Sequence, residues 1–262
     1  MNIDLKGKKA LVCGSTQGIG KATALRLASC GASVILVARN EDSLRSVFSE
    51  LETNDKQAHS FICADFDSSD VLIDKVTDFV NKNSPIHILV NNTGGPDPGP
   101  VMDAIPAEYI DGFKKHLINN HNLAKALIPG MKAVSYGRII NIISTSVKQP
   151  IPDLGVSNTI RGAVASWAKT LAAEVGRFEI TVNNILPGFT DTARLRSLIQ
   201  NIAEKKGQSI AKVTQAMEDS VPAGRFADPD ETAAAVVFLA APQAAYINGI
   251  NLPVDGGRTQ SL

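Results

Sequence analysis

Ala10-Leu11-Val12-Cys13-Gly14-Ser15-Thr16-Gln17-Gly18-Ile19-Gly20 is an apolar run that ends in three spaced glycines, and Lys21 to Ser29 continues it in a helical pattern. The first four residues read as a buried strand. A strand that turns on glycines into a helix presents unpaired backbone N–H groups and the positive end of a helix dipole, which suits a pyrophosphate. The three glycines serve different steric needs. Gly14 permits the tight turn, Gly18 lets the backbone approach a dinucleotide, and Gly20 lets the helix lie close on the strand. Gly14, Ser15, Thr16, Gln17, Gly18, Ile19 and Gly20 are therefore the expected phosphate-side residues of a cofactor site.

Outward from this turn, strand-like runs recur at Val34 to Val37, Phe61 to Ala64, Ile86 to Val90, Arg138 to Ile143, Thr181 to Leu186 and Ile250 to Val254. Between them, Asp42 to Leu51, Val71 to Asn81, Ala107 to Val134, Asn158 to Val175 and Pro229 to Leu239 carry apolar residues at three and four spacing. Strands that are apolar on both faces and alternate with helices predict a parallel seven-stranded sheet with helices on both faces, a doubly wound α/β (Rossmann) fold. No composition shift divides residues 1–262, so one domain is expected. Thr190 to Arg225, with its helical part at Leu195 to Met217, is expected at the carboxyl edge of the sheet as a substrate lid.

The chain has 262 residues, is 44% hydrophobic, and balances 26 basic against 26 acidic side chains. Without a broad field of either sign, nucleic acid and anionic membrane surfaces are not expected partners, and small molecules are. Cys13, Cys30 and Cys63 are widely spaced in apolar or small-residue surroundings, which suits reduced core thiols better than disulfides or a metal site and points to the cytoplasm. The polar Met1 to Lys9 enters a strand directly, so no targeting segment is expected.

About 20 residues past the glycine turn, an acidic side chain would accept the ribose hydroxyls of NAD. Ala38 fills that place and Arg39 follows it. An arginine there can pair with a 2′-phosphate, so NADP(H) is favoured, the alternative being that Arg39 is a solvated strand-end cation. Asp65 and Phe66, after the third strand, are placed for the adenine edge.

With Asn91-Asn92-Thr93-Gly94-Gly95 and Pro187-Gly188-Phe189-Thr190-Asp191-Thr192, the chain resembles the short-chain dehydrogenase/reductase family over nearly its whole length. Gly137 to Ser144, Val221 to Arg225 and Gly249 to Gly257 are most similar to its β-ketoacyl-carrier-protein reductase branch. The resemblance implies that Asn92 and Gly94 line the nucleotide and that Pro187, Gly188, Thr190 and Thr192 lie towards the nicotinamide. It also implies subunit contacts through the helices at Ala107 to Val134 and Asn158 to Val175, in a homotetramer or homodimer. Two departures are Thr93 in place of alanine and the turn Pro96-Asp97-Pro98-Gly99-Pro100.

The family's chemistry uses a serine that holds the carbonyl oxygen, a tyrosine that protonates it and a lysine four residues later. Ser144 matches the serine, whereas the tyrosine position is Ser157 and the lysine position is Arg161. The asparagine that orders a relay water falls on His116. An alkyl hydroxyl is a far poorer acid than a phenol, and arginine stays protonated up to about pH 12. Losing a placed general acid costs about 10² to 10⁴ in rate. His116, if it protonates near neutral pH, and Lys148, on the loop after Ser144, are the candidate substitutes. His116 reads equally as a packing residue and Lys148 as a loop cation. Two functions follow: an NADP(H)-dependent oxidoreductase of a carbonyl/alcohol pair, or an NADP-binding sensor or assembly subunit without turnover.

Overall fold

Seven parallel strands form one sheet in the order β3-β2-β1-β4-β5-β6-β7 in the computed structural model, which describes residues 3–54 and 56–261. They are β1 (Lys9–Cys13), β2 (Ser33–Ala38), β3 (Ser60–Cys63), β4 (Ile88–Asn91), β5 (Gly137–Ile142), β6 (Ile180–Pro187) and β7 (Asn251–Val254). The helices are α1 (Gly18–Ser29), α2 (Glu41–Glu50), α3 (Ser69–Asn83), α4 (Pro106–Phe113), α5 (Asn119–Ala133), α6 (Gly155–Val175), α7 (Ala193–Lys206), α8 (Ile210–Asp219) and α9 (Pro229–Ala240). This is the doubly wound arrangement that the alternating pattern predicts. The strand order reverses between β1 and β4, and a crevice opens at the carboxyl ends of the strands there.

Strand periodicity explains why both faces are apolar. Ala10 and Val12 of β1 join Val34, Leu36 and Ala38 of β2 in the core that α1, α2 and α9 cover. Leu11, Cys13, Ile35 and Val37 point the other way, into the core under α3, α5 and α6. Each fully buried leucine or isoleucine there contributes about 1.5–3 kcal/mol. Cys13, Cys30 and Cys63 are free thiols, but only Cys13 is a core residue, with burial pushing it up to about 12; Cys30, at the end of α1, and Cys63, at the end of β3, are half-buried at the core's margin. Among the described residues no helix is long and apolar enough to cross a membrane, and no group of three His, Cys, Asp or Glu side chains could hold a metal ion.

A ladder of amides crosses four strands near the crevice. Asn91 Nδ2 donates to Asn141 Oδ1, Asn141 Nδ2 to Asn184 Oδ1, and Asn184 Nδ2 to Asn251 Oδ1, each at 2.8 Å. The strand register sets these residues side by side.

Two helical expectations need correction. The stretch Ala107 to Val134 is not one regular α-helix, because a π-turn at Lys114–Ile118 separates α4 from α5. Its wider ring turns His116 into the protein, where it is 2% exposed. The stretch Leu195 to Met217 is two helices. Gly207, at φ +58, ends α7 in the left-handed conformation, and Ser209 caps α8 by accepting from Lys212 N. Leu195, Ile199, Ala203 and Val213 give this pair a small core of its own.

Candidate functional site

A cleft of about 570 Å³ runs along the carboxyl ends of the strands. At one end lies the glycine turn. Gly14 and Gly18 have φ of +58 and +51, which other L-residues rarely adopt. Gly20 is required for space: a Cβ there would stand 2.0 Å from Gly14 O and 2.7 Å from Asn92 Nδ2. Asn92 Nδ2 donates to the carbonyls of Cys13 and Gly14 at 3.3 Å, which ties β4 to the turn. Gln17 caps α1 with no side-chain hydrogen bond, and no acidic residue stands in the helix's first turn. The helix start thus keeps its backbone donors and positive dipole for an anion.

Along this wall the cleft is lined by Gly14, Thr16, Gln17, Gly18, Ile19, Arg39, Asp65, Phe66, Asn92 and Gly94. Arg39 is exposed beside the buried Ala38, and Asn40 is occupied in capping α2 by accepting from Ser43 N. Asn119 Nδ2 holds the Phe66 carbonyl at 2.8 Å. Pro187, Gly188, Thr190 and Thr192 form the facing wall. A Cβ on Gly18 would meet the Thr192 methyl at 3.0 Å, so the start of α7 sits directly over the glycine turn. Two residues of the expected turn stand behind the cleft: Ser15 is fully buried with its hydroxyl towards Val37 O, and Gly20 acts through packing alone.

The other end of the cleft holds Ser144, Ser157 and Arg161 together. Ser144 follows β5 and its Oγ accepts from Ser146 N at 3.1 Å. Ser157 and Arg161 lie one turn apart on the same face of α6, each 8% exposed. The proline turn pins the start of that helix: Gly99 N donates to Asp153 O at 2.7 Å and Gly155 N to Gly99 O at 3.0 Å. Arg161 Nη1 donates to Ile142 O at 3.1 Å, whereas Nε has no partner. Burial first, and then the charge of Arg194, pulls the Arg161 guanidinium down to about 10, still cationic at neutral pH.

His116 and Lys148 fare differently from the sequence expectation. Neither lines the cleft. Burial, followed by the charges of Arg161, Arg194 and Lys115, pushes His116 down to about 2, against a weaker opposing hydrogen bond to the Gly94 backbone. The expectation that it protonates near neutral pH is therefore corrected: the imidazole is neutral, and its Nε2 has no partner. Lys148 sits half-buried at the end of the short turn Thr145–Val147, beyond the cleft lining. Of the chain's three tyrosines, Tyr109, Tyr136 and Tyr246, none lines the cleft. Tyr136 Oη is spent on Ala240 O on the far side of the sheet.

Sequence reasoning missed Arg194 and Lys115. Arg194, the second residue of α7, crosses the cleft to donate to Gly95 O and Pro96 O, both at 3.1 Å. Its signal was a cation in the first turn of a helix, where the dipole favours anions. Lys115, on the π-turn, pairs with Asp67 at 2.5 Å.

A glycine turn under an uncapped helix, continuous with a hydroxyl and guanidinium cluster at a sheet's switch point, defines a dinucleotide-fold protein with a substrate end. The comparisons narrow this further. Residues 14–259 match the family model described as enoyl-(acyl carrier protein) reductase, and the chain belongs to the short-chain dehydrogenase/reductase family. It is 35% identical over 257 residues to the 3-oxoacyl-[acyl-carrier-protein] reductase FabG of Vibrio cholerae, covering 97% of this chain and 98% of the relative. It is 28% identical to the NADPH-dependent reductase BacG of Bacillus subtilis, over 97% of this chain and 99% of that one. The crystal structure of L-sorbose reductase from Gluconobacter frateurii, complexed with NADPH and L-sorbose, superposes with a TM-score of 0.93 at 31% identity, covering all of both chains.

Proposed function

We propose that this chain is an NADP(H)-dependent oxidoreductase of a carbonyl/alcohol pair, 3-oxoacyl-reductase-like in frame and non-standard in its catalytic site. One observation carries the reading: the uncapped α1 turn and the Ser144–Ser157–Arg161 cluster are the two ends of a single cleft. Glycines whose Cβ positions are already filled fit a backbone-lined pyrophosphate cradle, and Arg39, with no acidic residue at the end of β2, favours a 2′-phosphate. The NADPH bound by the sorbose reductase supports the same cofactor here.

When bound, NADPH supplies hydride to the carbonyl carbon. Ser144 and Ser157 would donate hydrogen bonds to the carbonyl oxygen, and the oxyanion they hold would take its proton from water as the product leaves. Arg161 holds the cofactor ribose or the substrate and lowers the energy of the developing oxyanion through its charge. Thr190, Thr192, Pro187 and Gly188 bound the nicotinamide end, and residues 190–225 act as the lid. Neutral His116 carries no charge to the site and is at most a hydrogen-bond relay, while Lys148 is left outside it. Exposed Ile110 and Ile118, on α4 and the π-turn, support a homodimer or homotetramer through this face.

The absence of a cleft tyrosine favours a second reading, an NADP-binding sensor or assembly subunit without turnover. Incubation with NADPH and a carbonyl panel that includes β-ketoacyl thioesters separates the two. The oxidoreductase consumes NADPH at 340 nm, and Ser144→Ala abolishes that turnover. NADPH binding with no absorbance loss for any carbonyl leaves the sensor.

A further inference from the structure

Arg161 and Arg194 come from different elements and converge on one glycine. A Cβ on Gly95 would stand 3.1 Å from Arg161 Nη2 and 3.2 Å from Arg194 Nη2. Two guanidiniums brought to one point repel each other unless an anion lies between them. Among the described residues no acidic side chain lines this end of the cleft. The two that line the cleft elsewhere, Asp65 and Asp67, belong to the turn after β3, where Asp67 is paired with Lys115 and Asp65 accepts from Asp67 N at 3.1 Å.

The free edge of Arg161 has the right shape for a planar anion. Nη1 is used on Ile142 O, while Nε is buried without a partner and Nη2, on the same edge, faces Gly95. The Nε–Nη2 edge of a guanidinium matches the two oxygens of a carboxylate. A buried and unpartnered N–H is costly, so a ligand that satisfies it recovers that cost. The cofactor's pyrophosphate belongs elsewhere, at the α1 turn under Thr192. The Gly95–Pro96 turn packs instead on α6, with Pro96 and Ile160 both against Gly112.

We propose that the carbonyl substrate carries a carboxylate, as a 2-oxo or 3-oxo acid, held between the unpartnered Nε–Nη2 edge of Arg161 and the Arg194 guanidinium beside Gly95. This deepens the oxidoreductase reading and rests on it. Arg194 is both latch and ligand: its bonds to Gly95 O and Pro96 O tie α7 across the cleft and leave further N–H donors for the second carboxylate oxygen. The carboxylate end is fixed by charge, and the carbonyl beside it is brought to Ser144 and Ser157.

The test compares each free acid with its neutral ester: pyruvate with methyl pyruvate, and acetoacetate with ethyl acetoacetate, under NADPH. Calorimetry with oxamate, a carboxylate that is not reduced, reads binding to the NADP⁺ complex without turnover. The expected kcat/KM favours the acids about 10- to 100-fold. Arg194→Met collapses that acid-to-ester ratio and abolishes oxamate binding, and Arg194→Lys restores part of both. A ratio near one in the unaltered protein, or a ratio and oxamate affinity that survive Arg194→Met, overturns the proposal. So does an Arg194→Met protein that has lost NADPH affinity while keeping its acid preference, which makes Arg194 a pyrophosphate clamp. If turnover is absent, oxamate binding that Arg194→Met removes upholds the site, and no binding overturns it. No NADPH affinity in the unaltered protein fails the oxidoreductase reading and this inference together.

Discussion

Asn141→Ala removes the middle rung of the amide ladder that backs the crevice. Asn141 is 0% exposed, on β5 and three residues before Ser144, which follows that strand. The substitution takes away the acceptor of Asn91 Nδ2 and the donor to Asn184 Oδ1, two bonds of 2.8 Å. Asn91 Oδ1 already has no partner, so the whole Asn91 amide would be left unsatisfied. Each buried polar group stranded in this way costs about 1–3 kcal/mol, and the small cavity adds about 1 kcal/mol. The expected loss is about 3–7 kcal/mol, a large share of the roughly 5–15 kcal/mol that holds a domain together. Urea unfolding followed by circular dichroism measures it as a shift in midpoint at constant slope. Asn141→Leu fills the volume and leaves the same groups stranded, so it should recover only the cavity part. A loss below about 1 kcal/mol for Asn141→Ala would refute the argument, because the neighbouring amides would then have found other partners at little cost.

Three further outcomes follow from the geometry. His87 and His116 are held neutral, pushed down to about 4 and about 2, chiefly by burial. Below about pH 6.5 the unfolded chain binds protons that the folded one does not, so the stability present above that value is lost as pH falls, by about 1.4 kcal/mol per unit per histidine. Urea midpoints should drop between pH 6.5 and pH 5 by an amount equivalent to roughly 2–4 kcal/mol, and His116→Asn should remove about half of that slope; an unchanged slope contradicts the buried neutral imidazole. Gly20→Ala places a Cβ 2.0 Å from Gly14 O, so α1 must lift from β1, with a stability cost of about 1–3 kcal/mol and loss of NADPH binding by fluorescence titration. Ser157→Tyr combined with Arg161→Lys restores a phenolic proton donor, and ketoreductase activity should rise by about 10²- to 10⁴-fold in the 340 nm assay; no rise in a folded double variant would mean that the pocket around α6 is shaped for something else.

The sheet was legible because its signal is local. Strand residues alternate faces, and Leu11 and Cys13 against Ala10 and Val12 already tell that both faces are covered. The glycine turn was legible for the same reason, since positive φ and close backbone approach act on neighbours in the chain. The expectation of one helical part over Leu195 to Met217 misses the break at Gly207, although Lys205-Lys206-Gly207-Gln208-Ser209 carries its signal, a basic last turn followed by glycine and a capping serine. What was not legible depends on partners distant in sequence. Nothing around His116 announces a π-turn, and its neutrality comes from burial and from charges on α6 and α7. Nor does the sequence say that Arg194 meets Gly95, 99 positions earlier.

That meeting bears on the missing phenol. A tyrosine and lysine pair answers the charge that forms on the carbonyl oxygen by neutralising it with a proton. Arg161 cannot do this, since it remains cationic at neutral pH even when pulled down to about 10. A fixed cation in a site screened from water can instead stabilise the oxyanion where it forms, an effect worth about 3–4 kcal/mol for a single well-placed donor. That range is comparable to the cost of losing a placed general acid, about 3–5.5 kcal/mol. A second cation at the same point adds charge but also repulsion, which a bound carboxylate offsets. In the proposed reaction the anionic substrate therefore completes the site: it brings the counter-charge that lets Arg161 and Arg194 stay together while the neighbouring carbonyl takes up hydride. A neutral ketone leaves that repulsion in place, so the distinction between acid and ester tests the logic of the altered pair as well as the identity of the ligand.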